Sequence, residues 1–178
     1  MYKDGIFKVN YKGGGGIMQS RYWKYMVQLK AWIYYIDLYA DHSYKWDKRI
    51  NIYLAVTSSS SIAAWAIWSQ CGFLWGFLIA LSQVITAIKP HLPFAKRLES
   101  LGKITNQLQV LFNQADYEWY KVSSGEFTEE EINKRLHKLK EQYSKTVGIA
   151  LEETLLPENE QFRDLADAKT EEYFQDAY

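Results

Sequence analysis

The chain has 178 residues, and its 21 Lys plus Arg residues balance its 21 Asp plus Glu residues, so the formal net charge is zero. This length suits one domain of ordinary size or a small membrane module, and the charge balance argues against a general binder of duplex nucleic acid. Hydrophobic residues at 48% and charged residues at 24% argue against a disordered chain.

The first 17 residues lack the apolar core of a secretory signal, because no long apolar run precedes Ile50. The sequence NYKGGGGI at residues 10–17 lies directly before Met18, and codons for Lys-Gly-Gly can resemble a bacterial ribosome-binding site. Two interpretations stay open. Translation starts at Met18 and residues 1–17 are a non-native extension, or the segment is a flexible glycine linker.

Residues 18–49 are predicted to form an amphipathic helix. Apolar side chains recur there at alternating steps of four and three, at Tyr22, Met26, Leu29, Ile33, Ile36 and Ala40. A second stripe, of Trp32, Tyr35 and Tyr39, lies beside the first. The helix either packs its apolar face on a core or lies on the inner membrane surface with its aromatic rings at headgroup level.

The 39 residues from Ile50 to Ile88 contain no Asp, Glu, Lys or Arg. The residues before this block carry a net charge of +5 and those after it −5. A membrane span needs about 20 apolar residues, so the block predicts a transmembrane hairpin with spans at 50–68 and 73–88. The alternative is a buried helical hairpin in a soluble bundle.

The residues that flank the uncharged block favour the membrane interpretation. Basic side chains stand on both sides, at Lys45, Lys48, Arg49, Lys89, Lys96 and Arg97. By the positive-inside rule, both ends of the chain are expected in the cytoplasm, with the hairpin in the bacterial inner membrane. Aromatic residues near the two ends of the hairpin would form the interfacial belts, at Tyr44, Trp46, Tyr53, Trp65, Trp68 and Trp75.

Small residues at four-residue spacing predict close helix packing in the hairpin. They are Ala55, Ser59 and Ala63 in the first span and Gly72, Gly76 and Ala80 in the second. Polar residues of the hairpin either bond back to their own helix or face water in a pore of several copies. The pore-lining candidates are Asn51, Thr57, Ser58, Ser59, Ser60, Ser61, Gln83 and Thr86.

Residues 89–178 are predicted to form a cytoplasmic helical region. A first helix follows Pro93 and carries the stripe Leu98, Leu101, Ile104, Leu108, Leu111 and Ala115. A second helix begins at a capping box of Thr128 and Glu131 and carries Ile132, Leu136, Leu139, Tyr143 and Val147. A last helix after Pro157 carries Phe162, Leu165 and Phe174. No alternating β-branched run is found, so the predicted fold class is all-α.

The residue types for catalysis or metal binding do not occur at suitable spacing. The three histidines are far apart, one cysteine is present, and no nucleophile or phosphate-loop motif occurs. We therefore expect no catalytic residue, no metal site, no cofactor and no enzyme. The densest basic group, Lys134, Arg135, Lys138 and Lys140, is the candidate site for a nucleotide, and its more ordinary interpretation is a solvated helix face paired with Glu.

Four segments together resemble the SLATT family, the SMODS- and SLOG-associating two-transmembrane effectors. They are the aromatic helix YWKYMVQLKAWIYYIDLYADHSYKWDKR, the Ser-rich first span, the second span GFLWGFLIALSQVITAI, and the end LPENEQFRDLADAKTEEYFQDAY. The resemblance implies a membrane-disrupting effector of bacterial conflict and anti-phage systems. Members are often encoded beside a nucleotidyltransferase whose nucleotide product controls them.

The function expected from these features is a membrane effector that forms a homo-oligomer in the lipid bilayer. It would open a pore or depolarise the inner membrane, under control of a nucleotide or oligonucleotide. A non-conducting membrane anchor for a partner protein is the alternative, and a soluble helical bundle is a third interpretation.

Overall fold

The computed structural model describes residues 16–67, 72–92, 94–151 and 156–178. These ranges hold five α-helices: α1 (Ile17–Ile67), α2 (Gly72–Ile88), α3 (Phe94–Ser123), α4 (Glu129–Leu151) and α5 (Glu160–Ala177). A short 3₁₀ turn covers Lys89–His91. Because no strand occurs in the described ranges, the predicted all-α class is confirmed.

The chain divides into two compact units. The described part of the first unit comprises residues 16–39, 100–151 and 156–178, and that of the second unit comprises residues 40–67, 72–92 and 94–99. A single helix, α1, supplies residues to both units and covers the predicted segment 18–49 and residues 50–67 of the predicted span 50–68. It contains no Pro or Gly in its 51 residues, so the sequence offers nothing that would break it.

The core of the first unit is built on the predicted stripe of α1. Tyr22, Met26, Leu29, Ile33 and Ile36 are all 2% exposed or less. This burial is what the core-packing interpretation of the helix expected. Eight residues of the predicted stripes of α3 and α4 are in the core: Leu101, Ile104, Leu108, Leu111, Ala115, Ile132, Leu136 and Leu139. Leu98, Tyr143 and Val147 of these stripes are only half-buried, and Phe112 and Val122 are buried although the predicted stripe did not include them.

The buried face of α5 differs from the predicted one. Leu165 is 51% exposed, whereas Ala166, Thr170 and Phe174 are buried. Thr170 can be buried because its hydroxyl donates to the carbonyl oxygen of Ala166 at 2.7 Å, which satisfies the polar group inside the helix. The prediction was right for Phe174 and wrong for Leu165, because the buried row steps by four residues through a threonine, which a search for apolar residues passes over.

Local hydrogen bonds fix where α3 ends and where α4 begins. Gly125 has a positive φ of 77°, and its N–H donates to the Val122 carbonyl while the Glu126 N–H donates to Lys121, as in a Schellman motif. The predicted capping box is confirmed at α4. The Glu131 N–H donates to the Thr128 hydroxyl oxygen at 3.3 Å, and the Thr128 N–H donates to the Glu131 carboxylate at 2.8 Å.

Within the described residues, none of the helices combines the length with the apolar character that crossing a bilayer requires. The predicted spans at 50–68 and 73–88 are therefore not supported by the described helices.

Leu108→Ala tests the core of the first unit. Leu108 is completely buried, so its truncation should lower the free energy of unfolding by about 2–5 kcal/mol. Val110→Ala on the same helix is the matched control, because Val110 is 69% exposed and its truncation should cost less than about 0.5 kcal/mol. Urea unfolding followed by circular dichroism measures both variants, and equal losses would contradict the core described here.

The capping box of α4 gives a prediction that depends on pH. Hydrogen bonds from the backbone and hydroxyl of Thr128 lower the pKa of Glu131, so the carboxylate stabilises the folded state above its unfolded pKa of about 4.3. This stabilisation is lost as the pH falls through the lower, folded pKa. Glu131→Gln should therefore be less stable than wild type at pH 7 and indistinguishable from it once the pH is below the folded pKa.

Thr128→Ala should lower the free energy of unfolding by about 1 kcal/mol at pH 7, because the cap on the amide of residue 131 is removed. Ser144→Ala, at an exposed position inside α4, is the control. If the free energy of unfolding of Glu131→Gln differs from that of wild type by the same amount at every pH, the carboxylate does not cap the helix.

Candidate functional site

The second unit contains a helical hairpin formed by residues 40–67 of α1 and by α2. The Tyr53 hydroxyl donates to the Leu78 carbonyl oxygen at 3.2 Å and so ties the two helices together. At the base of the hairpin, the Lys89 ammonium donates to the Asn51 side-chain oxygen at 2.5 Å. The Asn51 amide donates in turn to the Asp47 carboxylate at 2.8 Å, so the base carries a polar chain of contacts.

The two helices of the hairpin line a cleft of about 470 Å³, which we call the hairpin cleft. Its lining residues are Leu54, Ala55, Thr57, Ile79, Ser82, Gln83 and Thr86. Four of these seven side chains are polar, although all seven residues lie within Ile50–Ile88, the stretch of 39 residues without a charged side chain. The cleft therefore concentrates the polarity of an otherwise apolar element.

The hydroxyl groups of the hairpin cleft bond back to their own helices. Thr57 donates to the carbonyl oxygen of Tyr53 at 3.0 Å, Ser82 donates to Ile79 at 2.8 Å, and Thr86 donates to Ser82 at 2.8 Å. The hydroxyl protons are thereby satisfied without water, while each oxygen keeps lone pairs that can accept a hydrogen bond.

The structure brings three of the predicted pore-lining residues together. Thr57, Gln83 and Thr86 all line the hairpin cleft, whereas Asn51 lies outside it, in the polar contacts with Lys89 and Asp47. The side chains of the other candidates, Ser58, Ser59, Ser60 and Ser61, lie outside the described part of the structure. Ser82 was missed, although its spacing of four residues from Thr86 places both on one face of α2.

The predicted packing residues show little contact within the hairpin. Ala55 and Ala80 are exposed, and a Cβ added at Gly76 would meet no atom within 4 Å. The side-chain positions of Ala63 and Gly72 fall outside the described residues. The small side chains described here are therefore open for contact with something other than their own hairpin.

Large apolar side chains cover the outside of the hairpin. Phe73 is 93% exposed, and several other apolar residues of α1 and α2 are at least 47% exposed, namely Ile52, Val56, Leu74, Phe77, Val84 and Ile88. An exposed apolar surface of this kind marks contact with a membrane or with another protein. The hairpin is thus an apolar surface that encloses a polar cleft.

The predicted nucleotide-binding group lies in the first unit, on α4. The Lys134 ammonium pairs with Glu130 at 2.8 Å, and the Arg135 guanidinium lies 3.4 Å from Glu118. Arg135 also lies 3.9 Å from the centre of the Phe127 ring, and the Lys140 ammonium lies 5.5 Å from the centre of the Tyr25 ring. These contacts favour the interpretation as a paired helix face. The fourth member, Lys138, is exposed.

Sequence reasoning also missed a buried lysine. Lys30 is only 7% exposed, and its ammonium lies 4.3 Å from the centre of the Tyr173 ring, 4.5 Å from Phe112 and 5.1 Å from Tyr34. Burial lowers the pKa of Lys30, and the nearby Asp37 and Asp116 oppose this change. One indication that Lys30 is buried was present in the sequence: it directly follows Leu29, and a residue next to a buried stripe can lie at the edge of that stripe.

The described residues contain no group of three His, Cys, Asp or Glu side chains that could hold a metal ion. No protein-family model, no curated protein and no solved structure matches the chain. The resemblance to the SLATT family therefore stays a prediction from the sequence.

Two variants on α4 separate a structural role of the basic group from a role in binding. Arg135→Ala should lower the free energy of unfolding by about 1 kcal/mol, because it removes the contacts with Glu118 and the Phe127 ring. Lys138→Ala should change it by less than about 0.5 kcal/mol. Chemical unfolding measures both, and equal stability of the two variants would contradict the structural role of Arg135.

Proposed function

We propose that this chain is a membrane effector that inserts its hairpin into the bacterial inner membrane, oligomerises there, and forms a pore or depolarises the membrane. One observation carries the proposal: the hairpin exposes large apolar side chains on its outside and gathers Thr57, Ser82, Gln83 and Thr86 in one cleft. Apolar surface toward lipid and polar groups toward a water-filled path are the two requirements of a membrane pore.

The length of α2 sets how such a hairpin would sit in a bilayer. Its 17 residues extend over about 25 Å, slightly less than the hydrocarbon thickness of about 30 Å. A span that is too short is accommodated by local thinning of the bilayer and by flanking basic side chains that reach to the headgroups. Lys48, Arg49 and Lys89 stand at the base of the hairpin and suit this task.

Several copies would be needed for conduction, because two helices cannot enclose a pore. In the proposed oligomer the hairpin clefts face a common centre, and the free lone pairs of their hydroxyl oxygens contact water or ions. Gly76 and Ala80 have room around them, so the backbones of neighbouring copies could approach closely there.

The biological setting of the proposal comes from the resemblance to the SLATT family. That resemblance supports a role in anti-phage defence and control by a nucleotide or oligonucleotide signal. The basic residues on both flanks of the hairpin support an orientation with both ends of the chain in the cytoplasm.

A non-conducting anchor for a partner protein is the second candidate, and one observation favours it. The hydroxyl protons of Thr57, Ser82 and Thr86 are all satisfied by their own helices, so these residues do not need water. An anchor would keep the hairpin in lipid and would use the exposed surface of the helical first unit for its partner.

Depolarisation of cells tests the pore. Induced expression of the full chain should collapse the signal of a potential-sensitive dye, and Gln83→Leu with Thr86→Val should largely restore it, because the path loses its polar lining. Val84→Leu is the matched control, since Val84 is exposed on the same helix and outside the cleft, and this variant should depolarise like wild type.

Membrane fractionation and immunoblotting of the same cells complete the experiment. If the full chain is recovered in the soluble fraction when no detergent is added, both the pore and the anchor are overturned. Wild-type protein that is recovered in the membrane fraction and leaves the membrane potential unchanged after induction would overturn the pore and support the anchor.

A further inference from the structure

A second cleft, of about 660 Å³, lies in the first unit and is lined by the carboxyl-terminal parts of α3 and α5. We propose that this cleft, here called the aromatic cleft, binds a small organic ammonium ion. The proposal does not depend on the pore, because every lining residue belongs to the first unit.

Aromatic rings dominate the lining of the aromatic cleft. Tyr117 and Tyr120 stand three residues apart on α3 and are 71% and 74% exposed, and Tyr178 is 54% exposed. The rings of Trp119 and Tyr173 complete the set. The face of an aromatic ring attracts a cation through its quadrupole, and several rings around one space are the usual receptor for a substituted ammonium.

One carboxylate, that of Asp116, lies among these rings. It accepts a hydrogen bond from the Tyr178 hydroxyl, and the ion pairs of the described residues do not include it. Burial raises the pKa of Asp116, and the nearby Lys30 ammonium opposes this rise. A cation bound among the rings would bring a second positive charge close to this carboxylate.

The helix ends around the aromatic cleft also favour a positively charged ligand. α3 ends at Ser123 and α5 ends at Ala177, and both residues line the cleft. The carboxyl-terminal end of a helix carries a partial negative charge. In α3 the carbonyl oxygens of Tyr120, Lys121 and Val122 accept hydrogen bonds from the turn that follows, so there the charge acts through the helix dipole. Two such ends beside a carboxylate disfavour a phosphate and favour an ammonium ion.

The chain's own lysines already use the rings of this cleft as cation-binding faces. The Lys121 ammonium lies 5.9 Å from the centre of the Tyr117 ring, and the Lys30 ammonium lies 4.3 Å from the centre of the Tyr173 ring. Lys121 is a long, flexible side chain that lines the cleft, so it can move aside when a ligand enters. Lys121 therefore acts as a competitor within the chain for the ligand's position.

The size and chemistry of the cleft define the ligand class. Its volume falls within the range of small-molecule pockets, which is roughly 300–1,000 Å³. A single ammonium group on a small organic body, such as choline or tetramethylammonium, would place its charge near Asp116 and its carbon atoms on the tyrosine rings. The same group could belong to a free amine or to a lipid headgroup.

Calorimetric titration of the full chain with choline, tetramethylammonium and putrescine tests the proposal. The matched control ligand is 3,3-dimethylbutanol, which has the shape of choline without its charge, and it should bind at least about tenfold more weakly. Choline should bind about tenfold more weakly to Asp116→Asn and about two- to fivefold more weakly to Tyr120→Ala. It should bind more tightly to Lys121→Gln, because the competing ammonium is removed.

Control variants keep the result interpretable. Asp164→Asn and Lys145→Gln remove one charge each at exposed positions outside the cleft and should bind choline like wild type. Thermal unfolding by circular dichroism identifies any variant that fails to fold, and the remaining variants of the cleft then decide the outcome.

Evidence that the cleft binds an anion would overturn the proposal. If Lys121→Gln abolishes and Asp116→Asn strengthens the binding of ATP or ADP in the cleft, the cleft is an anion site. Equal affinity for choline and its neutral analogue, or binding of none of the three amines, overturns it as well.

A vesicle assay identifies the source of the ammonium group. If phosphatidylcholine vesicles bind wild type better than Asp116→Asn, while phosphatidylglycerol vesicles bind both equally, the headgroup is the ligand. If wild type and Asp116→Asn bind both kinds of vesicle equally, while the binding of free choline still requires Asp116, the ligand is a free amine.

Discussion

Burial of one face of α1 is the interaction on which the first unit depends. That face contacts each of the other three helices of the unit. The Tyr22 hydroxyl donates to the Ala115 carbonyl of α3 at 3.2 Å, Trp23 packs its ring 4.9 Å from that of Phe174 in α5, and Tyr25 packs against Tyr143 in α4 at 6.3 Å. Each contact joins segments that are distant in sequence, so the other helices are placed by the residues of α1.

The tyrosines that pack in the first unit, on α1 and on α4, combine apolar packing with a polar group. The Tyr35 hydroxyl accepts a hydrogen bond from the Asn159 N–H, and Tyr39 donates to the Pro157 carbonyl, which fixes the chain just before α5 begins. Burial raises the pKa of the Tyr143 hydroxyl to about 12, so this group stays neutral over the whole physiological range. Tyrosine suits these positions because its ring fills the core and its hydroxyl reaches the backbone of the neighbouring segment.

The sequence predicted those parts of the structure in which each residue plays the role that is usual for its type. The stripe from Tyr22 to Ile36 and the capping box of Thr128 and Glu131 are of this kind, because apolar periodicity and helix capping act over a few residues. Thr170 and Lys30 were both missed because each is polar by type and yet buried. Thr170 hides its hydroxyl by bonding to Ala166 on its own helix, whereas Lys30 is covered by the rings of Phe112 and Tyr173 from other helices as well as by Tyr34. The rings from the other helices are placed by the fold and cannot be read from the local pattern.

Hydroxyl groups that bond to their own helix also explain why the hairpin cleft was only partly predicted. The proposed role of the cleft depends on a residue of another kind, Gln83. Thr57, Ser82 and Thr86 cost little in lipid, because each hydroxyl proton is already bonded to a carbonyl of its own helix. Gln83 is different, since its amide has two donors and a carbonyl oxygen that such back-bonding cannot satisfy together. In a hairpin surrounded by lipid, Gln83 would need either water or a partner amide from a neighbouring copy. In the proposed effector this requirement would be met where several hairpins assemble around their clefts, and the pore and the anchor would then differ in whether water reaches Gln83.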